Sequence, residues 1–318
     1  MKRLSLLIFF LFVFSFVLGI EKTVYAQTSN ASDSANTATI SSIPTLFPTF
    51  TPSSTASAIP LIEQLNNLTV PTITPTPEAS PSVFPTPAIV ASGSAQDYCL
   101  NVPVIMYHHT EPIDIATQLG HPQLTEDSTY FEEHIKYLTE HKYHFLPLSK
   151  LVYAILTRTT VPDKSVVITI DDGYIDNYTY AFMMAKKYHA VMNFMIITGM
   201  VGDPDYMTWD HVKEMAASPY VRLYNHTNNH LPLGEISQDE IINQVTTANE
   251  ALKTNLGIDN KIVIYPSGSY SDLAIQTLQQ LGMVAAVSTD PGTDECLSNI
   301  YKLPRVRVGN EPIEDYGY

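Results

Sequence analysis

Asp171 and Asp172 stand side by side, ahead of Gly173 and directly behind the apolar run Val166–Ile170. Two adjacent carboxylates at the exit of a buried strand repel each other, and burial favours their neutral forms. A bound cation relieves both costs. It takes one carboxylate as a ligand and leaves the other as a base. Further along, His226 and His230 bracket Thr-Asn-Asn behind a second short apolar run, Tyr220–Tyr224. One carboxylate and two imidazoles form a donor set that suits Zn²⁺ or a similar divalent ion with open positions. Alone, either motif has an ordinary reading, a solvated turn for Asp-Asp-Gly and a helix face for His-x-x-x-His. Together, each behind an apolar run, they point to one site.

Those residues need a frame. From Val102 onward the pattern alternates between strand and helix. Strands are predicted at 102–107, 166–170, 191–197, 220–224, 261–265, 283–288 and, last, 306–308. Helices are predicted at 128–141, 149–157, 175–188, 208–217, 237–256 and 272–281. Thr208 reads as an N-cap, Ser237 with Glu240 as a capping box, and Gly257 and Gly282 as stops. Repeated strand–helix units imply a parallel sheet covered by helices, as a barrel or an open sheet. His108, Asp171, Asp172, His226 and Ser267 all follow predicted strands. A barrel collects strand ends and their loops on one face.

The rest of the chain bounds the answer. Residues 1–26 open Met-Lys-Arg, run apolar from Leu4 to Ile20 and end in the small-residue site Thr23–Ala26. This is the pattern of a signal peptide or an uncleaved signal anchor. Residues 27–96 are dominated by Ser, Thr, Pro and Ala and read as a disordered stalk, too poor in apolar surface to offset chain entropy. Residues 97–318 are then one domain's worth of chain, with a membrane contacted only through an N-terminal anchor. The formal charge of -15 argues against nucleic acid or an anionic membrane surface as partner. The two cysteines, Cys99 and Cys296, flank this domain, and in an exported protein a disulfide between them is expected over two free thiols. A monomer is expected.

Thr169–Gly173, His226–His230 and Tyr265–Gly268 resemble, in order and spacing, the signature of polysaccharide deacetylases of the NodB-homology type, carbohydrate esterase family 4. Val102–Thr110, Met207–Asp210 and Leu303–Val306 are similar to segments of the subgroup that N-deacetylates poly-β-1,6-N-acetylglucosamine. The resemblance spans nearly all of residues 100–308. It implies an α/β fold, a distorted (β/α)7-type barrel, and metal-dependent hydrolysis of acetyl groups on a cell-surface or cell-wall glycan. The enzyme would be secreted or held at the cell surface. The ion would be Zn²⁺, with Co²⁺, Ni²⁺ and Fe²⁺ as alternatives.

Residue by residue, the resemblance makes Asp171 the general base and Asp172, His226 and His230 the metal ligands. The N–H of Ser267 becomes an oxyanion donor. Three departures stand out. Tyr265-Pro-Ser-Gly268 replaces Arg-Pro-Pro-Tyr-Gly, so the Arg that steadies the base is missing. No His follows His230, so the late acid is absent, and Tyr107-His108 takes that role as in the poly-glucosamine subgroup. His109 is the alternative acid; its ordinary reading is a packed or surface histidine. Asn225 stands in place of Ser before the first histidine ligand, a change in the surroundings of that ligand. Arg305 can brace Asp171 in place of the missing Arg, against the ordinary reading of a structural ion-pair partner. Trp209, Tyr265 and Tyr270 are candidates for stacking on a sugar ring; as core or turn residues they would have no such role. The competing functions are an O-acetyl esterase on xylan-like glycan and a catalytically impaired glycan-binding module.

Overall fold

The computed structural model describes residues 97–318. The signal or anchor expected at 1–26 and the stalk expected at 27–96 lie outside the described residues. Among the described residues no helix is long and apolar enough to cross a membrane.

Seven strands carry the frame: β1 (Val104–Tyr107), β2 (Ser165–Ile170), β3 (Met192–Ile196), β4 (Val221–Asn225), β5 (Ile262–Ile264), β6 (Ala285–Pro291) and β7 (Leu303–Arg307). Each pairs in parallel with its neighbours in chain order, and β1 closes the ring by pairing with both β2 and β7. Register is set by pairs such as Val104 with Val167, Ile168 with Met192, Phe194 with Leu223 and Val263 with Ala286. A ring of parallel strands is covered on both faces, which explains the nearly continuous apolar runs. The expected (β/α)7-type barrel is therefore the observed fold.

The strand period sorts residues between the faces. In β2, Val166, Ile168 and Ile170 pack in one apolar cluster with Phe131, Ile135 and Phe182. Val167 joins a different cluster, and Thr169 with Asp171 meets Arg305. Outside the ring lie α1 (Ile113–Leu119), α2 (Ser128–Glu140), α3 (Leu148–Thr157), α4 (Phe182–Tyr188), α5 (Trp209–Ala216), α6 (Gln238–Leu256) and α7 (Asp272–Gln280). The Asp127 carboxylate caps α2 by accepting from Thr129 N–H at 2.8 Å. Thr208 caps α5 as predicted. Ser237 caps α6, but the box with Glu240 is not completed. The Glu240 carboxylate accepts from Gln244 at 2.9 Å instead, one helical turn on.

Two local irregularities lie close to the carboxyl ends of the strands. The segment predicted as helix 175–188 contains a π turn at Asn177–Ala181 before α4 begins. The β6–β7 register shifts between Leu303 and Arg305, pairing Leu303 with Val287 but Arg305 with Pro291. Such bulges re-aim side chains near functional sites. Away from the ring, the strand Cys99–Asn101 pairs antiparallel with Asp294–Cys296, and Cys99 and Cys296 are joined by a disulfide.

Candidate active site

The carboxyl ends of β1, β2, β4 and β5 deliver His108, Asp171 with Asp172, His226 and Ser267, while Arg305 stands in β7. The local backbone is unusual there. Asp172, Thr227, His230 and Ser267 all have positive φ, at 74°, 67°, 57° and 54°. For residues with a Cβ this conformation costs roughly 1–2 kcal/mol. Gly268 follows at φ 68°, and any Cβ there would overlap Thr289, so the position requires glycine.

Asp171 is buried and gripped by both arms of the Arg305 guanidinium, with Nη1 to Oδ1 and Nη2 to Oδ2 each 2.8 Å. Arg305 is held in turn by Nε donating to the Ser288 carbonyl at 2.8 Å and Nη1 to Thr169 Oγ1 at 3.2 Å. The register shift between β6 and β7 falls beside Ser288. Burial pushes the Asp171 carboxyl up, but the Arg305 charge and hydrogen bonds, together with His226 and His108, outweigh it, and the net shift is downward. Asp171 is thus an ionised carboxylate with no proton of its own to give.

Beside it, Asp172 Oδ1 lies 3.2 Å from His226 Nε2 and 3.4 Å from His230 Nε2. Burial pushes Asp172 up as well, and His226, His108 and His230 together more than reverse that, holding it well below the usual carboxylate range. His226 donates its Nδ1–H to the Ile264 carbonyl at 3.1 Å, which leaves Nε2 to point toward Asp172. The loop from His226 to His230 is pinned by Thr227 N–H donating to Asn225 Oδ1 at 2.6 Å and His230 N–H to Thr227 Oγ1 at 3.1 Å. Asn225 in turn donates to the Val245 carbonyl and to Asn249 on α6. It anchors the loop to a helix and makes no hydrogen bond to the imidazoles of His226 and His230.

The three donors fit a divalent ion. Their ligating atoms converge within 4.8 Å of one another, and buried Asp172 Oδ1 has no hydrogen-bond partner among the described residues. The two imidazole planes cross at 76°, so both rings can aim a nitrogen at one point.

His108 Nε2 is 4.0 Å from Asp171 Oδ2. Burial lowers its affinity for a proton, and the nearby carboxylates only partly restore it. His109, the alternative acid, is turned elsewhere. Its Nδ1–H donates to Asp176 Oδ1 at 2.9 Å, and its ring is stacked between Tyr174 and His121.

Of the proposed sugar platforms, Tyr265 is a correction. It is 0% exposed, and its hydroxyl donates to the Tyr301 carbonyl at 2.9 Å. An apolar ring behind a strand end fills the core before it reaches solvent. Trp209 opens α5 half-buried against the apolar cluster around β2. Tyr270 stays partly exposed, its hydroxyl donating to Asp290 at 2.6 Å. Residues the sequence did not single out also converge on this face: Glu111, His121 and Asp176, all in ion pairs with or beside His109. Their only signal was polarity in a loop following a strand.

Residues 158–286 match the family model for polysaccharide deacetylase. YxkH of Bacillus subtilis (strain 168), named for polysaccharide deacetylation, is 29% identical over 208 residues, 65% of this chain and 71% of that protein. The poly-beta-1,6-N-acetyl-D-glucosamine N-deacetylase of Staphylococcus aureus (strain MSSA476) is 27% identical over 197 residues, 58% of this chain and 68% of that one. Among solved structures, the Streptococcus pyogenes deacetylase PplD in complex with acetate superposes with a TM-score of 0.64 at 26% identity, covering 69% of this chain and 97% of PplD. IcaB from Ammonifex degensii shares the fold, with a TM-score of 0.57 at 22% identity over 65% of this chain and 91% of that one. These likenesses support a polysaccharide deacetylase domain of the NodB-homology type, carbohydrate esterase family 4, with the family model itself covering residues 158–286.

Proposed function

We propose that this protein is an exported, metal-dependent deacetylase that hydrolyses N-acetyl groups of an N-acetylglucosamine-containing glycan. The observation that carries this reading is the paired arrangement of carboxylates: Asp171 clamped by Arg305 and Asp172 drawn between two imidazoles. The two acids have separate partners, so they can do separate jobs. The choice of glycan rests on the likeness to the staphylococcal N-deacetylase.

Asp172, His226 and His230 would hold the ion. When bound, it supplies Lewis-acid polarisation of the acetyl carbonyl and acidifies a water. Asp171 takes a proton from the attacking water. The carbonyl carbon becomes tetrahedral, and the Ser267 N–H donates to the oxyanion; losing one such donor typically costs about 3 kcal/mol. His108 then gives a proton to the sugar nitrogen as the C–N bond breaks, releasing acetate and a free amine. An amine leaves poorly unless it is protonated, so His108 matters more for an amide than for an ester.

The Arg305 grip on Asp171 supports catalysis over a glycan-binding module, because binding needs no ionised buried base. Acetate release from a β-1,6-linked N-acetylglucosamine oligomer, measured with added Zn²⁺ and after chelation, tests the proposal. Release that is lost on chelation and restored by Zn²⁺ is expected. Turnover of acetylated xylan alone would move the reading to the esterase.

A further inference from the structure

The connection that leaves β2 carries Asp171 and Asp172, then runs straight into the π turn at Asn177–Ala181. Single π turns inside helices are rare and occur frequently at functional sites. Asp176 and Asn177 open this one, and both are buried. Their side chains reach back to the neighbouring loop behind β1. Asn177 Nδ2 donates to the His108 carbonyl at 2.7 Å. Asp176 Oδ1 accepts from His109 Nδ1 at 2.9 Å, and its Oδ2 accepts from Thr110 N–H at 2.7 Å. Three consecutive residues are thereby held by two.

The other edge of the same loop is held by main-chain bonds. Asp171 N–H donates to the Tyr107 carbonyl at 2.9 Å, His109 N–H to Leu124 at 3.1 Å, and Glu126 N–H to the His109 carbonyl at 3.0 Å. Every peptide flanking His108 is fixed, yet the His108 imidazole itself has no hydrogen-bond partner among the described residues; its nearest charge is Asp171 at 4.0 Å. His109 adds a lateral stop, its ring 3.7 Å from Tyr174 and 3.9 Å from His121.

We propose that Asp176 and Asn177 are positioning residues for the acid step, using the π turn to lock the main chain of His108 so that its free imidazole faces Asp171 and the scissile nitrogen. The inference rests on the deacetylase function proposed for this site and adds residues to it. The base and the mount of the acid then share one short connection. Any shift of the strand end that carries Asp171 carries the His108 anchor with it.

The test compares two substrates on the full-length, Zn²⁺-loaded protein: a β-1,6-linked N-acetylglucosamine oligomer and 4-nitrophenyl acetate, whose leaving group needs no proton. Asp176→Asn keeps the shape but offers only one acceptor for two donors. Asn177→Ala removes the donor to the His108 carbonyl. His109→Phe keeps the stack between Tyr174 and His121 but removes the Nδ1–H that Asp176 accepts, so the test stands on a folded protein even where a gap at Asn177 unfolds it. Zn²⁺ content and melting temperature are measured for each.

Misplacing a reacting group by an ångström costs on the order of 100-fold, so kcat on the amide should fall about 10- to 100-fold with KM little changed. Ester turnover should fall less than about 3-fold, since it bypasses the acid. Zn²⁺ content should stay at the wild-type value. Equal losses on both substrates, or none on either, would overturn the proposal while leaving the deacetylase reading intact. A wild-type protein inert on both substrates overturns that reading and this inference with it.

Discussion

Two groups of histidines and carboxylates occupy the same end of this barrel and are built from the same residue types. One is Asp172, His226 and His230; the other is His109, Glu111 and His121, with Asp176 behind it. In both, the ligating atoms lie within 4.8 Å of one another. Their angles differ. The rings of His226 and His230 cross at 76°, whereas those of His109 and His121 are stacked 3.9 Å apart at 4°. Parallel planes share no point, so two stacked imidazoles cannot both aim a lone pair at one ion. Their protons differ too. His109 and His121 already donate to Asp176 and Glu111, the latter at 2.6 Å, while buried Asp172 Oδ1 has no hydrogen-bond partner among the described residues. Proximity alone makes a cluster of donors; ring orientation and unspent lone pairs make an ion site.

The sharpest way to break this contrast is to remove donors from each group in turn. Asp172→Asn or His226→Ala should weaken Zn²⁺ binding by well over the ~100-fold that outer partners of a metal typically contribute, and abolish deacetylation. His121→Gln should leave Zn²⁺ stoichiometry unchanged by calorimetry. Equal losses from both groups would erase the distinction between them.

A second prediction separates the two adjacent carboxylates. Asp171→Asn should lower turnover by about 100- to 10,000-fold while Zn²⁺ binding persists. Loss of Zn²⁺ from this variant would mean that Asp171 belongs to the ion's own shell. Next in size is Arg305→Met. It strands a buried carboxylate and should destabilise the domain by roughly 3–5 kcal/mol in urea titration. A change below about 1 kcal/mol would show that Asp171 does not depend on that pair, whose exposed equivalents are worth no more than this.

The last effect, confined to neutral and alkaline pH, concerns a buried carboxylate with no hydrogen-bond partner among the described residues. Glu295 is fully buried, neither of its oxygens is hydrogen-bonded among the described residues, and burial followed by the Asp294 charge pushes its carboxyl up to about 9. A folded-state value above the unfolded one favours the native state at low pH. That advantage is lost as pH rises from about 4.5 to about 9, with a slope of at most ~1.4 kcal/mol per pH unit. Glu295→Gln should therefore leave the melting temperature unchanged near pH 4 and raise it at pH 8. A gain of equal size at both pH values would contradict this origin.

The barrel was legible because each strand is a short apolar run followed by a loop and an amphipathic helix, a pattern that depends only on nearest neighbours. The convergence of Asp172 with His226 and His230 followed from the same logic, since all three come after strands. Arg305 shows where local reading weakens. It sits at a bulge that shifts β6 against β7 beside Ser288, and nothing in Leu303–Val306 announces a change of register. Tyr265 shows the opposite error. It belongs to a motif segment yet turns inward to the Tyr301 carbonyl, because an aromatic ring gains more from a full core than from a wet groove. Asp176 and Asn177 were invisible for a third reason. A π turn has no composition of its own, and their partners, His108 to Thr110, lie far away in the chain.

The most direct test is anomalous diffraction at the zinc edge from crystals grown with Zn²⁺. One peak is expected within bonding distance of Asp172 Oδ1, His226 Nε2 and His230 Nε2, and none between His109 and His121. A peak at the stacked pair, or no peak among the three donors at saturating Zn²⁺, would contradict the assignment of the ion site.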